Sequence, residues 1–434
     1  MTLSDKTVQT YKSILKEELV AAMGCTEPIA IAYASAVLRH ALGNQPASIR
    51  IGLSGNIIKN VKSVIVPATG GMRGIAAAVA AGVIAGCPER KLEVLCALDR
   101  TSPDHIALFM EQTPIEIYEV ESQIPFEIDL VGQADSHTVR VHLVNRHTNI
   151  TEVVRDGENI TSRYRLNEVA TEVYASDRAL LNVKDIITFA DEVPLDDIAP
   201  LLRRQIDMNM AIAREGLSES YGASIGRLIY ADGNCILRDR ARAFAAAGSD
   251  ARMNGCELPV CIISGSGNQG ITASVPVVVY AEAMGASEEQ LLRALIVSDL
   301  ITIHQKTGIG CLSAYCGAIS AGCGCGTGIC YLNGGKYYEI AHSLVNSLAI
   351  LSGTICDGAK ASCAAKIAMA VEAGIMGYEM MKAGKQFYGG DGIVTKGVEN
   401  TIRNVGKLAR DGMSETDREI IASCFPDIIC AIAR

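Results

Sequence analysis

The hydrophobic rhythm of this chain changes twice, near residues 91 and 175, and that double change constrains the fold more than any single motif. From 91 to 174 the segments LEVLCAL, IEIYEVE, FEIDLVG and HTVRVHLVNR carry strand character, several with apolar residues at every second position. A helix over 103–112 separates the first two, and residues 145–149 read as a hairpin turn into ITEVVRDG. On either side the spacing is helical. Residues 5–22 place Val8, Tyr11, Leu15 and Leu19 on one face, with Ser4 as N-cap and Gly24 as stop. Pro28 opens a second helix, since proline suits a first helical turn. Ile49, Ile51 and Leu53 alternate as in a strand, 61–66 reads as another strand, and 73–86 as a buried helix. Beyond 175 the pattern predicts helices over 183–192, 196–215, 218–229, 240–247, 287–303, 338–352, 358–384 and 415–433. The fold class expected is α+β. A mainly helical catalytic domain forms from both ends of the chain, 1–90 and 175–434, with a small α+β domain inserted at 91–174.

A chain of 434 residues has room for two or three domains and a large core. Its net charge of −9 disfavours nucleic acid and anionic membranes as partners. The longest apolar run, 75–86, falls short of the ~20 residues that span a bilayer. The opening MTLSDKTVQTYK lacks the order of a signal peptide, so a cytoplasmic location is expected. There, fifteen cysteines are free thiols or metal ligands rather than disulfides. Cys96 and Cys261, in apolar strand-like runs, read as small core hydrophobes. Tryptophan is absent while alanine and glycine abound, which predicts closely packed helices.

Four motifs stand out. In MGCTEP (23–28), Cys25 precedes a helix N-terminus, whose dipole favours a thiolate, although Glu27 opposes it; a capping turn with an incidental cysteine is the plain alternative. SGSGNQG (264–270) satisfies G-x-G-x-x-G, yet Pro276 and further helix stand where a Rossmann unit needs its second strand. It remains a polar loop able to cradle a carboxylate or phosphate. Leu53-Ser54-Gly55-Asn56 and TGGMRG (69–74) are small polar turns that could line a site. Last come Cys356 and Cys363, seven apart, downstream of a run holding Cys311, Cys316, Cys323, Cys325 and Cys330. Three thiolates can hold an iron–sulfur cluster and leave one iron open as a Lewis acid. Spacing alone leaves any of the five as the third ligand, and Cys323-Gly324-Cys325 could also contribute to a zinc site. His304, at a helix end, could position a substrate; Lys306, Lys360 and Lys366 are the candidates for a pyridoxal-phosphate Schiff base.

Together these stretches resemble the L-cysteine desulfidase family, relatives of the iron–sulfur L-serine dehydratases. The matching segments are MGCTEP at 23–28, LSGNIIKNVKSVIVPATGG at 53–71, SGSGNQG at 264–270, SAYCGA at 313–318 and SGTICDGAKASCAAK at 352–366. The resemblance implies an oxygen-sensitive [4Fe-4S] cluster held by Cys316, Cys356 and Cys363, with Cys25 as catalytic base. It implies α,β-elimination of L-cysteine to pyruvate, ammonia and hydrogen sulfide, and related enzymes imply a homodimer. Ser54, Asn56, Ser264, Ser266, Gly267, Asn268 and Gln269 are the candidates for holding the carboxylate and amino group of the substrate. Competing readings are the same machinery acting on L-serine, a pyridoxal-phosphate lyase using GSGNQG as its phosphate loop, and a non-enzymatic iron or zinc redox sensor.

Overall fold

The computed structural model describes residues 3–122, 124–164, 176–231, 235–310 and 312–424, and it is an α+β protein. The N-terminal stretch runs α1 (Asp5–Glu18), β1 (Ala21–Met23), α2 (Thr26–Leu42), β2 (Ser48–Leu53), α3 (Gly55–Val61) and α4 (Gly74–Ala85). Then follow α5 (Ser102–Gln112), β3 (Ile115–Glu119), β4 (Glu127–Ala134), β5 (His137–Val144), β6 (Ile150–Arg155) and β7 (Glu158–Asn159). The helical part holds α6 (Val183–Glu192), α7 (Ala199–Ser218), α8 (Ile225–Tyr230), α9 (Leu237–Met253), β8 (Pro259–Cys261), α10 (Gly267–Met284) and α11 (Glu288–Ile309). It continues through α12 (Gly317–Leu332), α13 (Tyr337–Leu351), α14 (Cys363–Lys382), α15 (Val398–Lys407) and α16 (Ser414–Cys424).

The sheet has strand order β3-β2-β4-β5-β6-β7. Strand β2, from outside 91–174, lies parallel to β3 and antiparallel to β4, and the rest is an antiparallel meander. Helix α2 packs on β4 and β5 and also on α4, so it joins sheet and helices. The gap left by Gly132 accepts Leu38 of α2; a Cβ there would sit 2.5 Å from its Cδ2.

Helix α12 is the hub of the helical part, in contact with α10, α11, α13 and α14. Nearly all of its residues are buried, as expected of a helix that is apolar all round. Its glycines make this work. A Cβ on Gly322 or Gly326 would sit 2.3 Å from a carbonyl oxygen of α14, and one on Gly324 would strike Thr302 of α11. Cys323, Cys325 and Cys330 fill the remaining space as small hydrophobes. Residues 311–330 gave no helical expectation because four alternate glycines lower intrinsic propensity, and tertiary packing overrides that.

Other expectations need correction. LEVLCAL is not a strand: residues 88–97 form irregular 3-10 turns, kinked at Lys91 (φ 47°), and Cys96 is exposed. The supposed strand at 61–66 is the end of α3 and a turn, with one isolated bridge between Ile65 and Arg73. Helix α1 ends at Glu18 rather than at Gly24; Gly24 instead lies beneath Pro67, where a Cβ would come within 2.4 Å of the ring. His304 does not point to a substrate, because its Nε2 lies 2.7 Å from Glu399 Oε2 and joins α11 to α15. Cys311 and the part of the 415–433 helix beyond 424 lie outside the described residues. Among the described residues no helix is long and apolar enough to cross a membrane.

A buried polar network supports β8, the strand that leads into SGSGNQG. Asn209 of α7 brackets Cys261, donating to its carbonyl (3.2 Å) and accepting from its N–H (2.9 Å). Four residues earlier on the same helix, Gln205 Nε2 donates to Asp299 Oδ1 of α11 at 3.0 Å. Helix α10 follows directly and runs through Pro276 into α11, so no Rossmann unit forms.

Candidate active site

The start of α2, the end of α9, the loop after β8, the turn between β5 and β6, and the segments that precede α12 and α14 converge on one cavity of about 100 Å³. Cys25, Cys316, Cys356 and Cys363 all line it, as do Ser264, Ser266, Asn268 and Gln269. Residues more than 300 positions apart thus share one small enclosure. Gly267 sits in the same loop as the first residue of α10.

Cys25 is the N-cap of α2 and only 2% exposed. Its thiol donates to Glu27 Oε2 at 3.3 Å. The same carboxylate accepts from Thr26 Oγ1 and from Asn60 Nδ2, each at 3.0 Å. Burial, reinforced by the Glu27 charge, pushes the Cys25 thiol well up, so the helix dipole does not win here. Burial pushes Glu27 up as well, but nearby His147 and the hydrogen bond from Cys25 outweigh it and hold its carboxyl below the ordinary range. Desolvation of the His147 ring, whose Nε2 is buried, pushes its imidazole pKa down. The resting pair is therefore a thiol hydrogen-bonded to a carboxylate.

The SGSGNQG loop is fixed against this pair. Thr26 Oγ1 lies 2.8 Å from Gly265 O, and Ser264 N–H donates to Glu18 Oε2 at 2.9 Å. Ser264 and Gly265 both adopt positive φ (48° and 75°), turning the chain from β8 into α10. Asn268 Oδ1, Gln269 Oε1 and His147 Nε2 are buried without a hydrogen-bond partner.

Across the cavity, Cys316 and Cys356 sit on adjoining extended segments. Cys316 N–H donates to Thr354 O (3.0 Å) and Cys356 N–H to Ala314 O (2.6 Å), around an antiparallel bridge of Tyr315 with Ile355. Cys316 is the N-cap of α12, and Cys363 is the first residue of α14. Cys363 and Ala359 pack against the small buried cluster of Cys25, Val64 and Met253. Burial, then the neighbouring Cys356, pushes the Cys316 thiol up to about 12. Burial also raises Cys363, with Cys356 adding to it. Cys316 and Cys363, both raised by burial, stand with Cys356 as a donor set that a cation would complete. Among the described residues no three His, Cys, Asp or Glu close to the spacing of a single metal ion. An iron–sulfur cluster takes thiolates on separate irons, so three thiols lining one cavity fit it by donor chemistry.

Positive charge frames this side. Asp357 binds both Lys360 and Lys366, and although burial opposes it, the two lysines bring its carboxyl down to about 2. Lys366 also donates to Ile355 O at 2.9 Å, and the Asp357 partnership raises its pKa against burial. A Schiff-base lysine needs the reverse, a neutral amine.

Ser54 and Asn56 are not brought to this cavity. They line a larger neighbouring groove of about 580 Å³, which shares only Leu312 and Ser313 with it. The Ser54 hydroxyl is engaged in the sheet, donating to Pro125 O (2.9 Å) and accepting from Glu127 N–H (3.2 Å). Sequence reasoning overlooked His147, Arg252 and Asn60, and treated Glu27 only as an obstacle to Cys25. Glu27 sits inside MGCTEP and could have been found there; His147 and Arg252 carry no local signal.

A family model described as serine dehydratase alpha chain matches residues 126–422. The UPF0597 protein DSY1109 of Desulfitobacterium hafniense is 53% identical over 97% of this chain and 97% of its own length. A UPF0597 protein of Treponema denticola is 44% identical over 98% of this chain and all of its own. Another, from Fusobacterium nucleatum, is 42% identical over 95% of this chain and 98% of its own.

Proposed function

The chain belongs to the serine dehydratase alpha chain family, and from that premise we propose that it is an L-cysteine desulfidase, eliminating hydrogen sulfide from L-cysteine. The family makes it a lyase of the iron–sulfur serine dehydratase kind. The observation that carries the finer reading is the meeting of Cys25 with Cys316, Cys356 and Cys363 in one enclosed cavity. The three cysteines across the cavity would hold a [4Fe-4S] cluster, which would supply a Lewis-acidic iron to polarise the substrate.

The chain's own groups then have separable tasks. The loop 264–269 offers hydroxyls and amides to orient the substrate's carboxylate and amino groups. Cys25 is the base for the α-proton. Its raised pKa makes it a strong base once ionised, and Glu27, already in contact with the thiol, is the group that receives its proton. An arriving ammonium group would favour that ionisation by offsetting the negative charge the thiolate brings. Loss of the α-proton and cleavage of the Cβ–S bond release sulfide and leave aminoacrylate. Water then converts this to pyruvate and ammonia. Burial of Cys25 and Glu27 keeps water from levelling their basicities.

A second reading, elimination of water from L-serine, is favoured by the description of the matching family. Anaerobic turnover of the iron-reconstituted protein on both amino acids separates the two. Sulfide release from L-cysteine with a much larger kcat/KM than pyruvate formation from L-serine supports the desulfidase; the opposite ratio refutes it.

A further inference from the structure

We propose that Arg252 is the anchor for the substrate carboxylate, and that the N-terminus of α10 shares that anion with it. The inference rests on the elimination reading above. Arg252, in the last turn of α9, is 2% exposed and heads the largest fully buried side chains. It lines the cavity that holds Cys25 and the three distal cysteines. Its Nε is buried without a hydrogen-bond partner, and no ion pair among the described residues engages its guanidinium. Glu27 is close enough for the arginine to lower its pKa, but its oxygens are occupied by Cys25, Thr26 and Asn60.

A guanidinium stays charged at any ordinary pH, so burial cannot neutralise it. Leaving it unpaired is costly, and such a group is retained where something else supplies the anion. The surroundings are built for one. Gly267 makes room: a Cβ there would fall 2.3 Å from Arg252 Nε. Gly267 is also the first residue of the eighteen-residue α10, whose N-cap Ser266 makes no side-chain capping bond. The positive end of that helix and the guanidinium therefore approach the same point. Beside them, the partnerless Asn268 Oδ1 and Gln269 Oε1 are acceptors suited to an ammonium group. Anion and cation subsites next to each other describe a zwitterionic α-amino acid rather than a phosphate or a simple carboxylate.

The test is a cycle of ligand and protein truncation on the anaerobically reconstituted holoprotein. L-alanine keeps both charged groups but has no leaving group, and ethylamine is L-alanine without its carboxylate. Dissociation constants for both would be measured by equilibrium titration for wild type, Arg252→Met and Arg252→Lys, with iron content and visible absorption alongside. The expected result is a wild-type preference for L-alanine that Arg252→Met reduces about tenfold to a hundredfold. Arg252→Lys, which keeps the charge but not the fork, should retain part of it. Ethylamine affinity and iron content stay unchanged in both variants. An unchanged L-alanine preference in Arg252→Met overturns the proposal, as does a wild type with no such preference. Loss of iron in both variants also overturns it, by making the guanidinium a support of the cluster. None of these readings requires turnover, so failure of the desulfidase assignment would show itself separately, as absence of sulfide and pyruvate.

Discussion

Asp299 gives the sharpest quantitative prediction. It lies inside α11 with no solvent exposure, and burial pushes its carboxyl up to about 7, against a single opposing hydrogen bond from Gln205. In an unfolded chain an aspartate titrates near ~3.9. Between roughly pH 4 and 7 the folded protein therefore holds a proton that the unfolded chain has released. Stability must fall as pH rises through that window, because the folded state binds more protons there. Three units at about 1.36 kcal/mol each give on the order of 4 kcal/mol, an upper bound since relaxation and water entry soften burial. Asparagine mimics the protonated form. Its oxygen still accepts from Gln205 Nε2, and its amide can donate to Gln205 Oε1, an atom buried without a partner. Asp299→Asn should thus match wild type near pH 4 and exceed it by about 2–4 kcal/mol at pH 8. Urea unfolding of the metal-free protein across that range is the assay. Equal pH dependence of the two proteins would refute the reasoning, and so would a less stable variant at pH 8.

Two further substitutions test the site. Glu27→Gln removes the acceptor of the Cys25 proton, and kcat should fall at least 10²-fold, within the usual range for general-base assistance, with iron content intact. Undiminished turnover would show that Cys25 ionises without Glu27. Gly374→Ala acts through packing: its Cβ would lie 2.0 Å from Gly322 O, forcing apart α12 and α14, the helices that begin at Cys316 and Cys363. A loss of about 1–3 kcal/mol in unfolding free energy and faster iron release under chelator are expected; a variant as stable and iron-retentive as wild type would contradict the helix-spacing argument.

Much of the fold was legible because periodicity reports burial on one face. The strands β3 to β6 and their hairpin alternate cleanly, and α1 declares itself through Ser4 and its apolar stripe. What escaped was set by tertiary contact. Helix α12 hides behind its glycines, and residues 88–97 look like a strand only because apolar residues cluster there. The site divided in the same way. Cys25 and the loop 264–269 announce themselves by chemistry within short motifs, and they do line one cavity with Cys316, Cys356 and Cys363. His147 comes from a turn whose sequence signals only a hairpin, and Arg252 from a helix with several other arginines. Ser54 shows the converse: its polar turn looked like a binding element, yet its hydroxyl serves the sheet.

The central claim is that one cavity divides its thiols between holding iron and moving a proton. Iron content, visible absorption and sulfide release, measured together on anaerobically reconstituted Cys25→Ala and on Cys316→Ala, Cys356→Ala and Cys363→Ala, test it directly. The account predicts that Cys25→Ala keeps wild-type iron and absorption but releases no sulfide, while each of the other three loses iron and activity together. Loss of iron in Cys25→Ala, or a full iron count in any of the other three, would contradict it.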